Sequence, residues 1–281
     1  MALFHEWLGK KKSARLRLAV IQVQAVTHEY VGNAMKIATW NVNGIRAREA
    51  QLCEWLDRDR PDVVCLQELK AEAAQVPIGC HHDDYHIHWH GLRAYSGVSL
   101  HVRKGVFDSD PVFSHPDFDM ESRIVQAAVG NIVLASVYVP NGGKDYAAKI
   151  GFLERLAGWA RRLHDEGREV VLCGDINIAH ADIDVHPRER KDGVIGQRPE
   201  ERVLFDQLLG SHFVDVGRAL QPDNAQMFSW WPPWRNMRQR NIGWRIDYIL
   251  ASRSIAARAT SCIVLADVGT SDHAPVMMTA P

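Results

Sequence analysis

The sequence predicts an α/β or α+β fold, and three features of the chain support this prediction. Apolar runs rich in β-branched residues alternate with amphipathic segments of helical spacing. A Gly130-Asn131 pair between two such runs indicates a β-hairpin. The predicted strands outnumber the predicted helices, which is typical of folds in which helices pack on β-sheets. The 281 residues contain no evident linker, repeat or low-complexity segment, so we expect residues 35–281 to form a single domain.

The first predicted strands are rich in apolar, β-branched and aromatic residues. Residues 36–42 and 62–67 have the composition of strands that are buried on both faces. Between them, apolar residues at helical spacing predict a helix over residues 46–60, which Pro61 ends. The predicted hairpin joins two further strands, 124–129 and 132–139. The remaining predicted strands are residues 85–90, 97–103, 170–173, 246–251 and 275–279, and the remaining helices are residues 147–165 and 200–209.

Composition excludes several classes of protein. The chain has 33 Lys and Arg against 34 Asp and Glu, a net charge of −1, so it is not a generally cationic nucleic-acid coat, although a local basic groove is compatible with it. No run approaches the roughly 18 apolar residues of a membrane span. The five cysteines form no CxxC pair, which argues against a zinc finger and a disulfide framework. We therefore expect a reducing, cytoplasmic location.

The N-terminal extension, residues 1–34, differs from the rest. It holds five basic and two acidic residues, a balance of +3. We expect either a poorly ordered tail or sequence upstream of a misplaced start codon, because Met35 precedes the first predicted strand. A basic organelle-import segment is the alternative, whereas the lack of a small-residue cleavage site argues against a secretory signal.

Polar residues gather where the predicted strands end or begin. They are Asn41, Asn43, Gln67, Glu68, Asp175, Asn177, Asp247, Asp272 and His273. Ligands of layered α/β proteins bind at the carboxyl ends of strands, and a lone acid there is commonly only a cap or turn residue. Together, however, carboxylates, amides and an imidazole suit Mg²⁺-assisted attack on a phosphodiester.

Six segments in this order resemble the exonuclease III / apurinic-apyrimidinic (AP) endonuclease family of the endonuclease-exonuclease-phosphatase superfamily. They are residues 36–46 (KIATWNVNGIR), 61–70 (PDVVCLQELK), 138–142 (YVPNG), 172–178 (LCGDINI), 243–250 (GWRIDYIL) and 271–275 (SDHAP). The resemblance runs from about residue 35 to residue 279. It implies a four-layer α/β sandwich, in which two packed mixed β-sheets are flanked by helices.

The resemblance also implies an activity. Such enzymes cleave duplex DNA on the 5′ side of abasic sites with Mg²⁺, for which Mn²⁺ substitutes, and many add 3′→5′ exonuclease and 3′-end-cleaning activities. We therefore expect a catalytic domain over residues 35–281 that acts as a monomer on abasic or 3′-blocked double-stranded DNA. The expected location is a bacterial cytoplasm, where DNA binding would associate the protein with the nucleoid.

Roles transfer to the matching positions of this chain only by resemblance. Glu68 resembles the principal metal-binding acid, Asp175 the acid that activates water or protonates the leaving group, and Asn177 the amide that orients the water. Asp247 and His273 resemble an acid–imidazole pair. The implied metal-site residues are Asn41, Glu68, Asp175, Asn177, Asp272 and His273, and the implied catalytic residues are Tyr138, Asp175, Asn177, Asp247 and His273. Animal members carry Asp at the position of Asn43, so a metal-ligand role there is in doubt.

Residues 228–244, here called the Trp/Arg loop, combine four tryptophans with several arginines and no acid. Aromatic and basic side chains together suit a nucleic-acid surface, and a packed loop with solvated arginines is the alternative. By resemblance, Trp230, Trp244 and Ile246 line the pocket for a flipped abasic sugar. The implied DNA-binding residues are Lys144, Trp230, Trp234, Arg238, Trp244 and Ile246.

Three other functions compete with the AP endonuclease prediction. A specialised 3′→5′ exonuclease with weak abasic activity would differ only in its loops. A phospholipid or inositol phosphodiesterase of the same superfamily would lack the Trp/Arg loop, and a catalytically silent DNA-binding module would lack an acid or the histidine of the core set. The histidines at positions 81, 82, 86, 88 and 90 invite a metal-site hypothesis, but they lie outside every family motif, so we expect them to be structural.

Overall fold

The computed structural model describes residues 34–92, 94–210 and 212–281, so the prediction for the N-terminal extension falls almost wholly outside the described residues. The strands are β1 (Met35–Asn41), β2 (Val63–Gln67), β3 (Tyr85–Leu92), β4 (Tyr95–Arg103), β5 (Val112–Ser114), β6 (Ile124–Val129), β7 (Ile132–Tyr138), β8 (Glu169–Asp175), β9 (Phe213–Asp215), β10 (Asp247–Ser252), β11 (Ser261–Val264) and β12 (Val276–Ala280). The α-helices are α1 (Glu49–Asp59), α2 (Tyr146–Asp165), α3 (Pro199–Leu209), α4 (Val216–Leu220) and α5 (Arg253–Ala256).

The strands form two six-stranded sheets of similar design. Their orders are β11-β12-β1-β2-β4-β3 and β5-β6-β7-β8-β10-β9. Each sheet has one parallel pair, β1–β2 in the first and β7–β8 in the second, and its other pairs are antiparallel. A helix connects the strands of each parallel pair, α1 in the first sheet and α2 in the second, as parallel pairing requires.

Three apolar clusters hold the layers together. The inner faces of the two sheets pack on each other through side chains such as Ile37 and Leu100 from one sheet and Val171 and Ile249 from the other. Helix α1 covers the outer face of the first sheet, and α2 and α3 cover the outer face of the second. The result is the four-layer α/β sandwich that the family resemblance implied. None of the helices among the described residues is long and apolar enough to cross a membrane.

All the predicted strands and helices are present, and most of the differences are short elements. The strands β5, β9 and β11 and the helices α4 and α5 have three to five residues each, too few to show a hydrophobic period. Helix α1 begins at Glu49 rather than at residue 46, because residues Ile45–Ala47 form a 3₁₀ turn.

Strand register brings the polar strand ends to one edge of the sandwich. Asp247 at the start of β10 lies opposite Asp175 at the end of the antiparallel strand β8. Tyr138 at the end of β7 lies beside Asp175 in the parallel pair, and Asn41 lies beside Gln67 in the other parallel pair. Both parallel pairs therefore end at the edge that carries the predicted site.

Gly174 allows β8 to approach β7 closely at this edge of the sandwich. Replacing this glycine therefore tests the fold. A Cβ atom at Gly174 would lie 1.8 Å from the carbonyl oxygen of Val137. We expect Gly174→Ala to lower the free energy of unfolding by about 4 kcal/mol or more, the range of severe core substitutions. Urea unfolding followed by tryptophan fluorescence measures this.

Gly105→Ala is the matched control, because Gly105 has a positive φ of 73° but open space around its Cα. Only the left-handed backbone conformation is then penalised, by about 1–2 kcal/mol. Equal destabilisation by the two substitutions would contradict the close packing of β7 on β8.

Candidate active site

An amide joins two carboxylates at the centre of the site. The Asn41 Nδ2 atom donates to Glu68 Oε1 and to Asp175 Oδ2, both at 2.9 Å. Glu68 directly follows β2 of the first sheet, whereas Asp175 ends β8 of the second. The Asn41 side chain therefore ties the two sheets together where the acids lie. Its Oδ1 atom accepts the backbone N–H of Asn43 at 3.0 Å, which leaves one lone pair of this oxygen for a metal.

Several residues of the site have left-handed backbone conformations. The φ angles are 53° at Glu68, 50° at Lys70, 46° at Asn43 and 55° at Asn177. Asparagine tolerates this region, but glutamate and lysine enter it at a cost of about 1–3 kcal/mol each. Such strain collects where a fold must aim side chains at a ligand. Here it turns the chain sharply after the strands and keeps the polar side chains at the edge.

A second set of contacts links Glu68 to Asp272. Lys70 Nζ lies 2.8 Å from Glu68 Oε2 and also donates to Asn43 Oδ1. The Asn43 amide donates to Asp272 Oδ1 at 2.7 Å. Asn43 thus bridges a cation and an acid, and its oxygen already accepts from Lys70, which gives a physical reason for the doubt about a metal-ligand role.

His273 is held from one side by a buried carboxylate. Its Nδ1 atom lies 2.9 Å from Asp247 Oδ2, and the Ser229 hydroxyl donates to the same oxygen at 2.7 Å. The Nε2 atom lies 3.9 Å from Asp175 Oδ2. Asp247 therefore fixes the ring so that Nε2 faces the carboxylates, which is the geometry of the acid–imidazole pair that the sequence predicts.

The charges in the site strongly perturb one another. Burial disfavours the charge of Glu68, but hydrogen bonds from Asn41 and Lys70 lower its pKa below the usual value. Burial raises the pKa of Asp175 to about 8, and the negative charges of Asp247 and Glu68 add to this effect. Burial alone would lower the pKa of His273, yet the carboxylates of Asp247 and Asp175 raise it to about 10. The site thus holds more negative charge than its own cations balance.

Asn177 and Tyr138 complete the carboxylate edge. The Asn177 backbone N–H donates to Asp175 Oδ1 at 2.9 Å, and its side-chain amide donates to Val139 O at 2.9 Å. Burial and the charges of Glu68 and Asp175 raise the pKa of Tyr138 far above its usual range, so its phenol is neutral. The guanidinium of Arg123 lies 4.7 Å from the centre of the Tyr138 ring.

The donor set suits a hard divalent cation. Ligand atoms of Glu68, Asp175 and His273 all lie within 4.8 Å of one another, and two carboxylates with nearby amides are the oxygen ligands that Mg²⁺ and Mn²⁺ accept. Burial raises the pKa of Asp175 and the charges of Asp247 and Glu68 raise it further, and a dication would relieve this second effect.

One other group of three potential metal ligands converges among the described residues. It consists of His164 and Asp165 at the end of α2 and His212 just before β9, and all three are at least partly exposed. Its two imidazole rings are stacked with centroids 3.7 Å apart, so one ion cannot lie in both ring planes without rotation of a ring. The histidines at positions 81, 82, 86, 88 and 90 belong to neither group of potential ligands found among the described residues.

Three predicted pocket residues border the acidic cluster. The Trp230 ring lies 5.6 Å from that of Trp244 at an interplanar angle of 79°, and Trp230 Nε1 donates to Asp272 Oδ2 at 3.1 Å. Ile246 precedes Asp247 and its backbone N–H donates to Ser229 Oγ at 3.1 Å. The indole N–H of Trp244 is buried and has no partner among the described atoms. Trp230 therefore joins the aromatic pair to the carboxylate of Asp272.

The remaining predicted DNA contacts occupy different environments. Lys144 is exposed, and 57% of Trp234 is exposed. Arg238 instead donates to the carbonyl oxygens of Ala266, Ser271 and Val268. Its guanidinium therefore fastens the Trp/Arg loop to the segment before Asp272, so its interactions within the protein indicate a supporting role.

Sequence reasoning missed Lys70, Ser229 and Arg123. Lys70 ends the PDVVCLQELK segment and Ser229 is the second residue of the Trp/Arg loop, so both residues are part of the recognised segments, but the sequence gives no contact for either. Arg123 directly precedes β6 and stands outside every motif. Only the folded chain shows that Ser229 supports Asp247 and that Arg123 covers Tyr138.

Two packed mixed sheets with carboxylates and an imidazole at one edge define an α/β-sandwich hydrolase of phosphoesters. A family model described as the Endonuclease/Exonuclease/phosphatase family matches residues 38–273. The chain belongs to this family, as the sequence motifs predicted, and it is a hydrolytic phosphodiesterase of the nuclease type.

Relatives with established names cover nearly the whole described chain. The chain is 34% identical to the Exodeoxyribonuclease of Bacillus subtilis (strain 168), over 86% of this chain and 98% of that protein. It is 32% identical to the DNA repair nuclease APEX1 of Danio rerio, over 87% and 81%. A solved AP endonuclease from Archaeoglobus fulgidus superposes with a TM-score of 0.78 at 29% identity, over 88% of this chain and 99% of that chain. The 3′-5′ exonuclease NExo from Neisseria meningitidis gives 0.79 at 32% identity, over 87% and 98%.

The acid–imidazole pair predicts the titration of His273. With its pKa raised to about 10, the imidazole stays protonated in the metal-free protein between about pH 6 and 8. We expect Asp247→Asn to lower this pKa by about 1–3 pH units, because it removes the nearest opposite charge. NMR of ¹⁵N-labelled histidine in the presence of a chelator measures both values. An unchanged His273 titration in the variant would contradict the pairing.

Proposed function

We propose that the protein hydrolyses the phosphodiester on the 5′ side of abasic sites in duplex DNA, and that it also trims and cleans 3′ ends as an exodeoxyribonuclease III-like enzyme. The supporting observation is the position of Trp230, which connects the aromatic pair to the acidic cluster. Its indole N–H donates to Asp272, and its ring lies 6.4 Å from that of His273. A sugar without a base would lie against the Trp230–Trp244 pair, whose rings contact each other edge to face, whereas an intact nucleotide would be too large.

The proposal requires a divalent cation, Mg²⁺ or its substitute Mn²⁺. Glu68 and Asp175 would hold it, and Asn41, Asn177 and Asp272 lie at the same edge as further candidate ligands, whereas the protonated His273 would face the phosphate instead. When bound, the cation would neutralise negative charge on the phosphate, which is worth several kcal/mol in the transition state. The convergence of the acids supports this assignment, since ligand atoms of Glu68 and Asp175 lie within 4.8 Å of each other.

The protein groups divide the remaining work. In our assignment, His273 Nε2–H donates to a phosphate oxygen, because Asp247 occupies the other ring nitrogen. Asp175 accepts the proton of the attacking water, and the Asn177 amide orients that water. The neutral phenol of Tyr138 donates to the scissile phosphate. The attack breaks the P–O bond, and the leaving 3′ oxygen takes up a proton to become a hydroxyl.

Exposed groups around the cleft are proposed to hold the duplex. Lys144 follows the YVPNG segment and would contact a backbone phosphate. Trp234 stands on the Trp/Arg loop beside two prolines and would enter the base stack at little cost in ordering. Arg238 would act indirectly by fixing the loop. We further propose that the enzyme acts as a monomer in a bacterial cytoplasm, and the absence of disulfides among its five cysteines agrees with a reducing compartment.

A specialised 3′→5′ exonuclease with weak abasic activity is the second candidate function. The similarity to the Neisseria 3′-5′ exonuclease favours it, because that relative is as similar in fold as the archaeal AP endonuclease. The two candidates differ in how the pocket is used: an abasic endonuclease needs Trp230 and Trp244 to receive a flipped sugar, whereas an exonuclease needs them to receive an end.

A labelled duplex with one tetrahydrofuran abasic analogue separates these functions. In Mg²⁺ we expect a single cut 5′ to the lesion, and no cut in EDTA. Trp244→Ala should slow this cut at least about 10-fold while it slows removal of ordinary 3′ nucleotides less, since one lost side chain in a substrate pocket costs about 1–3 kcal/mol.

The control is Trp159→Ala, which removes a tryptophan of helix α2 far from the cleft and should affect both substrates equally. A ladder from the 3′ end with the lesion uncut would favour the exonuclease. No cleavage of either duplex would contradict both candidates and redirect the search to phospholipid or inositol phosphodiesters.

A further inference from the structure

We propose that Lys149 and Glu201, a buried ion pair between helices α2 and α3, position the catalytic amide of Asn177 and the pocket wall at Trp244. The inference rests on the proposed function, because it concerns how the same site is held in its reactive geometry. Neither residue lies at the cleft surface, so both are positioning residues rather than catalytic residues.

The Lys149 ammonium is placed against the backbone that carries Asn177. Its Nζ atom donates to Asn177 O at 2.8 Å and lies 2.5 Å from Glu201 Oε1. A longer contact of 3.5 Å reaches Asn141 O in the YVPNG segment. Both side chains of the pair have 0% exposure. The lysine therefore binds the backbone carbonyl of Asn177. This residue has a left-handed backbone conformation, which sets the direction of its side-chain amide.

Glu201 extends the same network toward the aromatic pocket. Its Oε2 atom accepts the backbone N–H of Gly196 at 2.6 Å and that of Arg198 at 3.1 Å. Gly196 in turn packs on the pocket, since a Cβ atom there would lie 3.0 Å from a ring carbon of Trp244 and 3.1 Å from Asn177 O. One carboxylate thus fixes the turn that touches both Asn177 and Trp244.

The chemistry of the pair argues against a purely stabilising role. An ion pair without solvent contact loses the hydration of both charges, and apolar side chains of similar volume often serve stability as well or better. The neighbouring core of α2 and α3 is apolar, with Phe152 and Phe205 fully buried. What an apolar pair cannot supply is a cation for the Asn177 carbonyl and an acceptor for the Gly196 N–H.

The consequence for catalysis is specific. Removing the ammonium leaves the Asn177 carbonyl without this donor, so the turn shifts and the Asn177 amide moves relative to Asp175. Misplacement of a reacting group by about 1 Å can cost roughly 100-fold in rate. Since Lys149 and Glu201 touch no DNA-facing surface, the expected loss falls on kcat, with KM for the duplex little changed.

A double-mutant cycle tests whether Lys149 acts through Asn177. We expect Lys149→Met to lower kcat on the abasic duplex at least about 10-fold in the wild-type background, and less than about 2-fold when Asn177→Ala is already present. A general loss of stability would instead lower the rate by the same factor in both backgrounds, and that result would overturn the proposal.

Three variants guard against a folding artefact. Lys149→Arg keeps a buried donor and should retain most of the wild-type rate. Lys149→Met combined with Glu201→Gln removes both charges and leaves no unpaired carboxylate. This double variant should nevertheless remain slow, because the Asn177 carbonyl still lacks its donor. Leu156→Ala, on the same helix and fully buried, should lower the melting temperature without lowering kcat below the transition. A normal rate for the doubly neutral variant would overturn the proposal.

A spectroscopic measurement keeps the inference independent of the assay. In ¹H–¹⁵N spectra, Lys149→Met should shift the side-chain amide signal of Asn177 and the indole signal of Trp244, and leave the indole of the distant Trp55 unchanged. Unshifted Asn177 and Trp244 signals would overturn the inference whatever the activity. Failure of the wild-type protein to cut either duplex, with these shifts present, would contradict only the proposed function.

Discussion

The contact on which the site depends is the pair of hydrogen bonds from Asn41 to Glu68 and Asp175. Each carboxylate belongs to a different sheet, and the Asn41 amide donates to both at 2.9 Å. The two acids meet only because the inner faces of the sheets pack on each other and because both parallel pairs end at the same edge. The packing of the two sheets therefore determines both the orientation of the Asn41 side chain and the distance between the two acids.

That constraint concentrates negative charge, and the surrounding residues respond to it. Lys70 compensates Glu68, Asn43 and Trp230 donate to Asp272, and His273 lies between two carboxylates. These contacts do not fully offset the cost of charging Asp175, whose pKa is raised by burial and further by repulsion from Asp247 and Glu68. A preorganised excess of negative charge has a stability cost, and a bound dication would remove it. Folding and cation binding are thus expected to favour each other.

Much of this architecture could be predicted from the sequence. Apolar runs and the Gly130-Asn131 turn located the long strands, and the order of polar residues at strand ends predicted a phosphodiester site because residue type and strand position are local information. The short strands β5 and β9 escaped prediction, since three residues are too few to show a hydrophobic period.

Side-chain partners were the part that the sequence could not supply. The sequence does not distinguish the arginines in and next to the Trp/Arg loop. In the structure, Arg238 binds backbone carbonyls, whereas Arg245 forms buried ion pairs with Asp184 and Asp215. In the same way, Lys149 on a helix looks like a solvated lysine until α3 brings Glu201 to it. Charge patterns predict exposure, but only tertiary packing decides which charges face the ligand and which support the fold.

The most direct test of this account is the thermal stability of the protein as Mg²⁺ is titrated. If the acids from the two sheets form one cation site, the melting temperature should rise by roughly 5 °C once Mg²⁺ reaches about 100 times its dissociation constant. Glu68→Gln should abolish most of that rise, and Glu72→Gln, at an exposed acid nearby, should keep it. An equal rise in both variants would contradict the claim that the sheets are packed to build this site.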